Sequence, residues 1–260
     1  MELIRVIKER RFSFTAITKH MKKSVILIGM ILLCYVRTYS QNNVFAFFEY
    51  DIRSGMEDPF INGYAKDLEW HQLQGDDWSW IGWFVMNGNR RGRFIDATPA
   101  HAWKDFDHWK VDAAENARYN KIHWQSYVVN PSGSYREILE EFSTFGKNWY
   151  RNRYLQVYYV QVRHGRERTF TRFLAGIKPL LEKRLQGRPF VWMKTISGGS
   201  PDTYLLFVAL DKIEDLKSCD GLLERYPPAD KEEGYGEMIK KVTSELWSYN
   251  KKLSSVPEGN

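Results

Sequence analysis

Glu49 and Asp51 stand at alternate positions of one short segment, with Phe47 before them and Arg53 after. In an extended chain alternate side chains share a face. Two carboxylates crowded on one face raise each other's proton affinity, so one of them can serve as acid or base near neutral pH. The competing reading is that Arg53 and Arg163 neutralise the acids as structural ion pairs, which also perturb proton affinity. A second segment carries Tyr159, Gln161 and Arg163 at the same alternation and ends on His164. That histidine is a proton acceptor or a solvated turn residue. Trp80 and Trp192, with Lys194 two residues beyond, wall an aromatic pocket if they face inward, and otherwise pack a sheet against a helix. Glu49, Asp51 and His164 are therefore the candidate catalytic groups. Phe47, Trp80, Tyr159, Gln161, Arg163, Trp192 and Lys194 are the candidate ligand-binding ones.

Other chemistries lack a pattern. His71, His101, His108, His123 and His164 make no metal-ligand spacing, so no metal is expected. There is no glycine-rich phosphate loop, nucleophile elbow or cysteine–histidine pairing. No cofactor is nominated.

The elements that must position these residues occur twice. The segment 47–55, Phe-Phe-Glu-Tyr-Asp-Ile-Arg-Ser-Gly, aligns with 157–165, Val-Tyr-Tyr-Val-Gln-Val-Arg-His-Gly, at an offset of 110. Gln74-Gly75 matches Gln186-Gly187, Trp78-x-Trp80 matches Phe190-x-Trp192, and Gly88 matches Gly198. A block from Tyr135 to Phe142 resembles one from Tyr235 to Val242, and Trp149-Tyr150 resembles Trp247-Ser-Tyr249. Three blocks in one order indicate duplication. Each copy reads as a strand, a glycine turn, and a helix with Glu57 or Glu167 in its first turn. Next come a hairpin over 87–89 or 197–200, a short helix, and a closing helix at 135–148 or 232–250. Pro179 predicts a kink or break in the second long helix. The strand parity sends Val44, Ala46, Phe48, Tyr50 and Ile52 toward helices. Phe45, Phe47, Glu49, Asp51 and their counterparts then form an inner face that begins apolar and ends polar, as a small-molecule site would. The stretch 107–133 is an insert, with a helix ending near Trp124 before a turn at 130–133.

The first forty residues read separately. Met21-Lys22-Lys23 opens a short apolar run, and Thr38-Tyr39-Ser40 supplies small residues before Gln41. This is the secretory pattern, with Met21 a plausible start and cleavage near Ser40–Gln41. Arg37 directly after the run weighs against a membrane anchor, and bulky Leu33 weighs against lipidation at Cys34. The chain has 38 Lys+Arg against 32 Asp+Glu, and 1–40 holds eight of the basic and two of the acidic residues, leaving 30 of each. The basic balance thus belongs to the leader, and a nucleic-acid partner has no support. Only Cys219 remains beyond 40, so the exported chain has no internal disulfide and relies on its core.

Strand, helix, hairpin and helix, given twice with Arg-x-Gly after the first strand, resembles the dimeric α+β barrel superfamily, including its antibiotic-biosynthesis-monooxygenase-like and NIPSNAP-like members. The resemblance implies an α+β fold of two tandem ferredoxin-like units, 41–153 and 154–253, packed sheet to sheet as an intrachain pseudo-dimeric barrel with a tail at 254–260. Monooxygenases, isomerases, haem-handling enzymes and binding proteins share that fold, so it does not fix activity. The first expectation is an exported protein, periplasmic or extracellular, that binds a small apolar or aromatic ligand between its sheets. It would be free of membrane in its mature form and monomeric, with a homodimer open. The alternatives are a cofactor-independent oxygenase or isomerase using Glu49 or Asp51 as base, and a partner-binding module using the Trp-rich insert from Trp103 to Trp124.

Overall fold

The computed structural model describes residues 42–146, 148–223 and 235–257. The leader, its cleavage point and Cys34 lie outside the described residues. Alternating aromatic and branched side chains extend Val44–Ile52 as β1 and Tyr154–Val162 as β5. The other strands are β2 (Ile81–Val85), β3 (Phe94–His101), β4 (Val128–Ile138), β6 (Phe190–Ser197), β7 (Thr203–Leu210) and β8 (Ile239–Tyr249). All pair antiparallel in the order β1-β3-β2-β8-β5-β7-β6-β4, which closes into a barrel. Closure depends on β2 meeting β8 and β4 meeting β6. The described helices are α1 (Glu57–Leu73), α2 (Ala113–His123), α3 (Glu167–Leu185) and the single turn α4 (Tyr235–Met238), with short 3-10 turns between. The chain is an α+β protein built on one eight-stranded antiparallel barrel.

Gly55 and Gly165 both take φ of +80° in the turns that lead into α1 and α3, where a side chain would be strained. Both hairpins form where the sequence places them. The two closing helices do not form. Segment 135–148 is instead the end of β4 followed by a 3-10 turn, and β8 occupies most of 232–250. The inward positions Ser134, Arg136 and Glu245 are polar yet buried, so the period-2 apolar pattern that marks a strand is missing there. Asn130-Pro131 is likewise no turn. It lies inside β4 opposite a register shift between Glu49 and Asp51, a bulge being where proline is tolerated in a sheet. Pro179 sits within a helix that runs unbroken to Leu185.

The odd positions of β1 point inward as expected. Phe45, Phe47, Trp83, Trp149, Leu155, Val157, Phe207 and Trp247 form one buried cluster that fills the barrel. Phe47 stacks on Phe207 at 6.1 Å between ring centres and on Trp83 at 6.4 Å, so its role is core packing. On the outside, α3 packs Phe170, Phe173, Leu174, Ile177, Leu181 and Leu185 onto β5, β6 and β7. The buried stripe of α1 has the same spacing but different chemistry, namely Phe60, Gly63, Tyr64, Asp67, Leu68 and His71. A carboxyl and an imidazole, Asp67 and His71, lie on a core-facing stripe. Among the described residues no helix is long and apolar enough to cross a membrane.

Candidate functional site

The polar stripe of α1 borders a cavity of about 310 Å³ between α1, the insert and the outer face of β1 and β3. Phe48 and Tyr50 form its floor, Trp78, Trp80 and Trp109 one wall, and Phe106, Trp124 and Tyr135 close it. The insert reaches this position because Gly63 lets α1 approach it. A Cβ there would lie 2.1 Å from the carbonyl oxygen of His123. Asp112 caps α2 by accepting from the Glu115 amide at 2.8 Å. Lys110 pairs with Asp77 at 2.5 Å and ties the insert to the segment after α1.

Two acids face the cavity. Asp96 is 3 % exposed and accepts a hydrogen bond from the Tyr64 hydroxyl. Burial pushes its pKa up to about 8, against the opposing pull of the Tyr64 bond. Asp67 is 4 % exposed and burial raises it to about 6, while His71 and Trp124 draw it down. Asp67 Oδ1, Asp96 Oδ1 and Asn116 Oδ1 are buried without a hydrogen-bond partner. Asp76 differs. Burial would raise it, but donors outweigh that and hold it below the usual range: His71 Nδ1 at 2.7 Å, Trp80 Nε1 at 2.9 Å and the Trp78 amide at 3.1 Å. This cluster fixes the orientation of His71 and Trp80. His101 packs tilted against Trp78 at 4.0 Å between ring centres, and burial lowers its pKa.

The same register on the other side of the barrel is filled. Phe48 and Gly82 flank Asp96 across β3, while Tyr158 and Trp192 flank Leu206 across β7. Trp192 is therefore the register partner of Gly82, not of Trp80. It packs edge-on against Phe170 of α3 within the buried core. Lys194 shares its outward face and lies over the Tyr204 ring at 6.0 Å. Trp80 also faces outward, and there it lines the cavity.

The polar end of the barrel gathers another part of the candidate set. Glu49 is buried and meets three guanidinium groups: Arg90, Arg93 at 3.3 Å and Arg136 at 3.3 Å. Arg93 also pairs with Asp51 at 2.9 Å, so one guanidinium separates the two carboxylates. The neutralising arginines are these three. Arg53 and Arg163 instead donate to the backbone carbonyls of Ser126 and Gly236, each at 3.1 Å. With its oxygens engaged this way, Glu49 is poorly placed to act as a base. Tyr159 and Gln161 line an open polar depression of about 650 Å³ at this mouth, with Arg90 and Glu245. The Tyr159 hydroxyl accepts from Arg90. His164 lies exposed in the turn after β5. Its ring nitrogen and the carboxylates of Glu167 and Asp202 lie within 4.8 Å of one another, and Glu167 already accepts from the Gly165 amide at 3.1 Å.

No family model and no curated relative matches the chain. Solved structures do. A candidate monooxygenase from Fusobacterium nucleatum superposes with a TM-score of 0.55 at 9% identity, over 79% of this chain and 91% of that one. A mutant chlorite dismutase from Candidatus Nitrospira defluvii gives 0.53 at 8%, over 81% and 92%. An anthrone oxidase-like protein gives 0.50 at 8%, over 80% and 92%. The chain shares the α+β barrel fold of these proteins. At such identities the likeness is one of fold alone.

That fold also includes haem-handling enzymes, and among the described residues neither the barrel interior nor the outer cavity fits a tetrapyrrole. The barrel interior is filled with aromatic side chains. The outer cavity is too small for a macrocycle, and its histidine, His71, is held at Nδ1 by Asp76 with Nε2 3.8 Å from Asp67.

Asp67, His71 and Asp96 were not among the residues nominated from the sequence. A signal for them exists at the offset of 110. Asp67 stands where α3 has Ile177, His71 where it has Leu181, and Asp96 where β7 has Leu206. Polar groups replacing core aliphatics at helix and strand spacing mark the site.

Proposed function

We propose that this protein is an exported binding protein that holds a small aromatic molecule in the cavity between α1, the insert and the outer face of β1 and β3. One observation carries the reading: a cavity of about 310 Å³ walled by indole and phenyl rings, with a few buried polar groups converging on it. The expected position between the two sheets moves outward, because aromatic side chains already fill the barrel. Export rests on the composition of the leader, and detection of an N-terminal peptide beginning at Gln41 in a periplasmic or culture fraction tests it. The recurrence of strands and long helices at an offset near 110 supports a tandem duplication closed within one chain as a pseudo-dimer, with a second copy still able to pair externally. The ligand is tested on the purified protein by native mass spectrometry and by quenching of tryptophan fluorescence. A co-purified aromatic molecule lost in Trp109→Ala supports the reading. No bound molecule, with no response to indoles or phenols, ends it.

A second reading has its own observation. Asp67 near 6 and Asp96 near 8 place two carboxyls with separated proton affinities at one cavity, the arrangement of an acid–base pair. An enzyme of the oxygenase or isomerase kind would then use these acids in place of Glu49 and Asp51. Turnover of a bound aromatic that disappears in Asp67→Asn supports it, and a ligand that binds unchanged through many hours of incubation removes it.

A further inference from the structure

The polar atoms of the cavity are unequal in kind, and this narrows its ligand. Among the residues that line it there is no lysine and no arginine. The one histidine is already hydrogen-bonded to Asp76. Facing the same space are two carboxyl groups, more than nine-tenths buried, each with one oxygen lacking a partner, and an Asn116 oxygen in the same condition. Asp67 Oδ1 and Asn116 Oδ1 are acceptors, and Asp96 Oδ1 becomes one when that carboxyl gives up its proton. A buried acceptor without a donor is costly, so the occupant that fits best brings donors. An anion finds no cation here and meets two acids. A neutral hydrocarbon leaves all three oxygens unsatisfied.

We propose that the cavity takes an aromatic primary amine as its ammonium ion, with the ring among Trp78, Trp80 and Trp109 and the nitrogen toward Asp67, Asp96 and Asn116. A primary ammonium has three N–H donors and no acceptor, which matches the three orphan oxygens once Asp96 is ionised. Its charge is opposite to that of Asp67, favours release of the proton that Asp96 otherwise keeps, and is also attracted by the faces of surrounding rings. The side chains that would hold such an ion come from three separate elements: Asp67 from α1, Asp96 from β3 and Asn116 from α2. Ligand binding thereby ties the insert to the barrel. The proposal rests on the reading that the cavity is a ligand site, and deepens it by naming the chemical class.

The test compares probes that share a ring and differ in charge: tryptamine, tryptophol and indole-3-acetate, with phenethylamine and 2-phenylethanol as a smaller pair. Binding to the purified protein is measured by calorimetry at pH 7. The amines are expected to bind about 100-fold tighter than the matching alcohols, since a site built around hydrogen bonds and charge rejects analogues that lack the donor. Indole-3-acetate is expected to bind weakest. Asp67→Asn and Asp96→Asn should each cut the preference for amine over alcohol by about tenfold. Alcohols binding as tightly as amines, or indole-3-acetate binding tightest, overturns the proposal while leaving the cavity a ligand site. Failure of all five probes overturns both. Should a variant not fold, the panel on the unaltered protein still decides.

Discussion

The hydroxyl of Tyr64 on α1 donates to the carboxyl of Asp96 on β3, so helix and sheet are hydrogen-bonded to each other through the wall of the cavity. Burial raises Asp96 from an ordinary 3.8 to about 8, and the folded protein therefore keeps a proton that the unfolded chain releases above pH 4. Proton linkage then makes the contribution of this carboxyl fully present below about pH 4 and lost as pH rises through about 8. Asp96→Asn, which cannot ionise, should gain stability relative to the unaltered protein as pH rises from 5 to 8.5. Urea unfolding at several pH values measures the difference. A difference that stays constant with pH would show that Asp96 does not hold its proton in the folded state.

Gly63→Ala places a methyl group against the His123 carbonyl and should push the insert away from α1. Overpacking of this kind costs about 1–3 kcal/mol. The expected signs are a lower melting temperature, faster proteolysis within 107–124 and weaker ligand binding. An unchanged digestion pattern would mean that the helix and insert separate without cost.

Glu49→Gln removes the charge that three arginines surround. Breaking a buried ion cluster by deleting one partner costs about 3 kcal/mol, and the figure stays at the low end because Arg90 is 30 % exposed. Stability should fall while binding in the outer cavity is preserved. Calorimetry on the folded variant checks both. If Glu49→Gln abolished binding and left stability intact, the barrel mouth would be the functional site instead.

Cys219 is buried, and burial pushes its thiol up. Reaction with a thiol reagent at neutral pH should therefore follow unfolding, and be slow under native conditions. Rapid labelling of the native protein would contradict this burial.

Much of the architecture was legible because it depends on simple periods. β1 and β5 alternate, α3 repeats an apolar stripe, and glycine marks the turns at 55 and 165. The closing strands were not legible, since Arg136 and Glu245 occupy inward positions where an apolar residue would have revealed the alternation. The site was only half legible. Glu49 and Asp51 drew attention as paired acids, yet their partners Arg90 and Arg93 lie in the hairpin region some forty residues away, and their pairing depends on barrel closure. Trp80 was nominated as an inward wall and serves as an outward one. Asp67 and His71 were hidden inside a helical stripe whose other members are ordinary core residues. Comparison with Ile177 and Leu181 exposes them, but only once the register is known.

Trp80 is held at both backbone atoms by Ser255, through bonds of 2.7 and 2.8 Å, and Gln72 of α1 donates to the Ser255 hydroxyl at 2.8 Å. A wall of the cavity is thus fastened by a residue synthesised some 175 positions after it. The ribosome must release β8 and the segment beyond before the indole is locked in place. A chain that stops before Ser255 carries every lining residue of the cavity but none of these bonds to Trp80. Fixing of this wall is in this way tied to synthesis of the chain through Ser255, a timing that any alteration of that segment must respect.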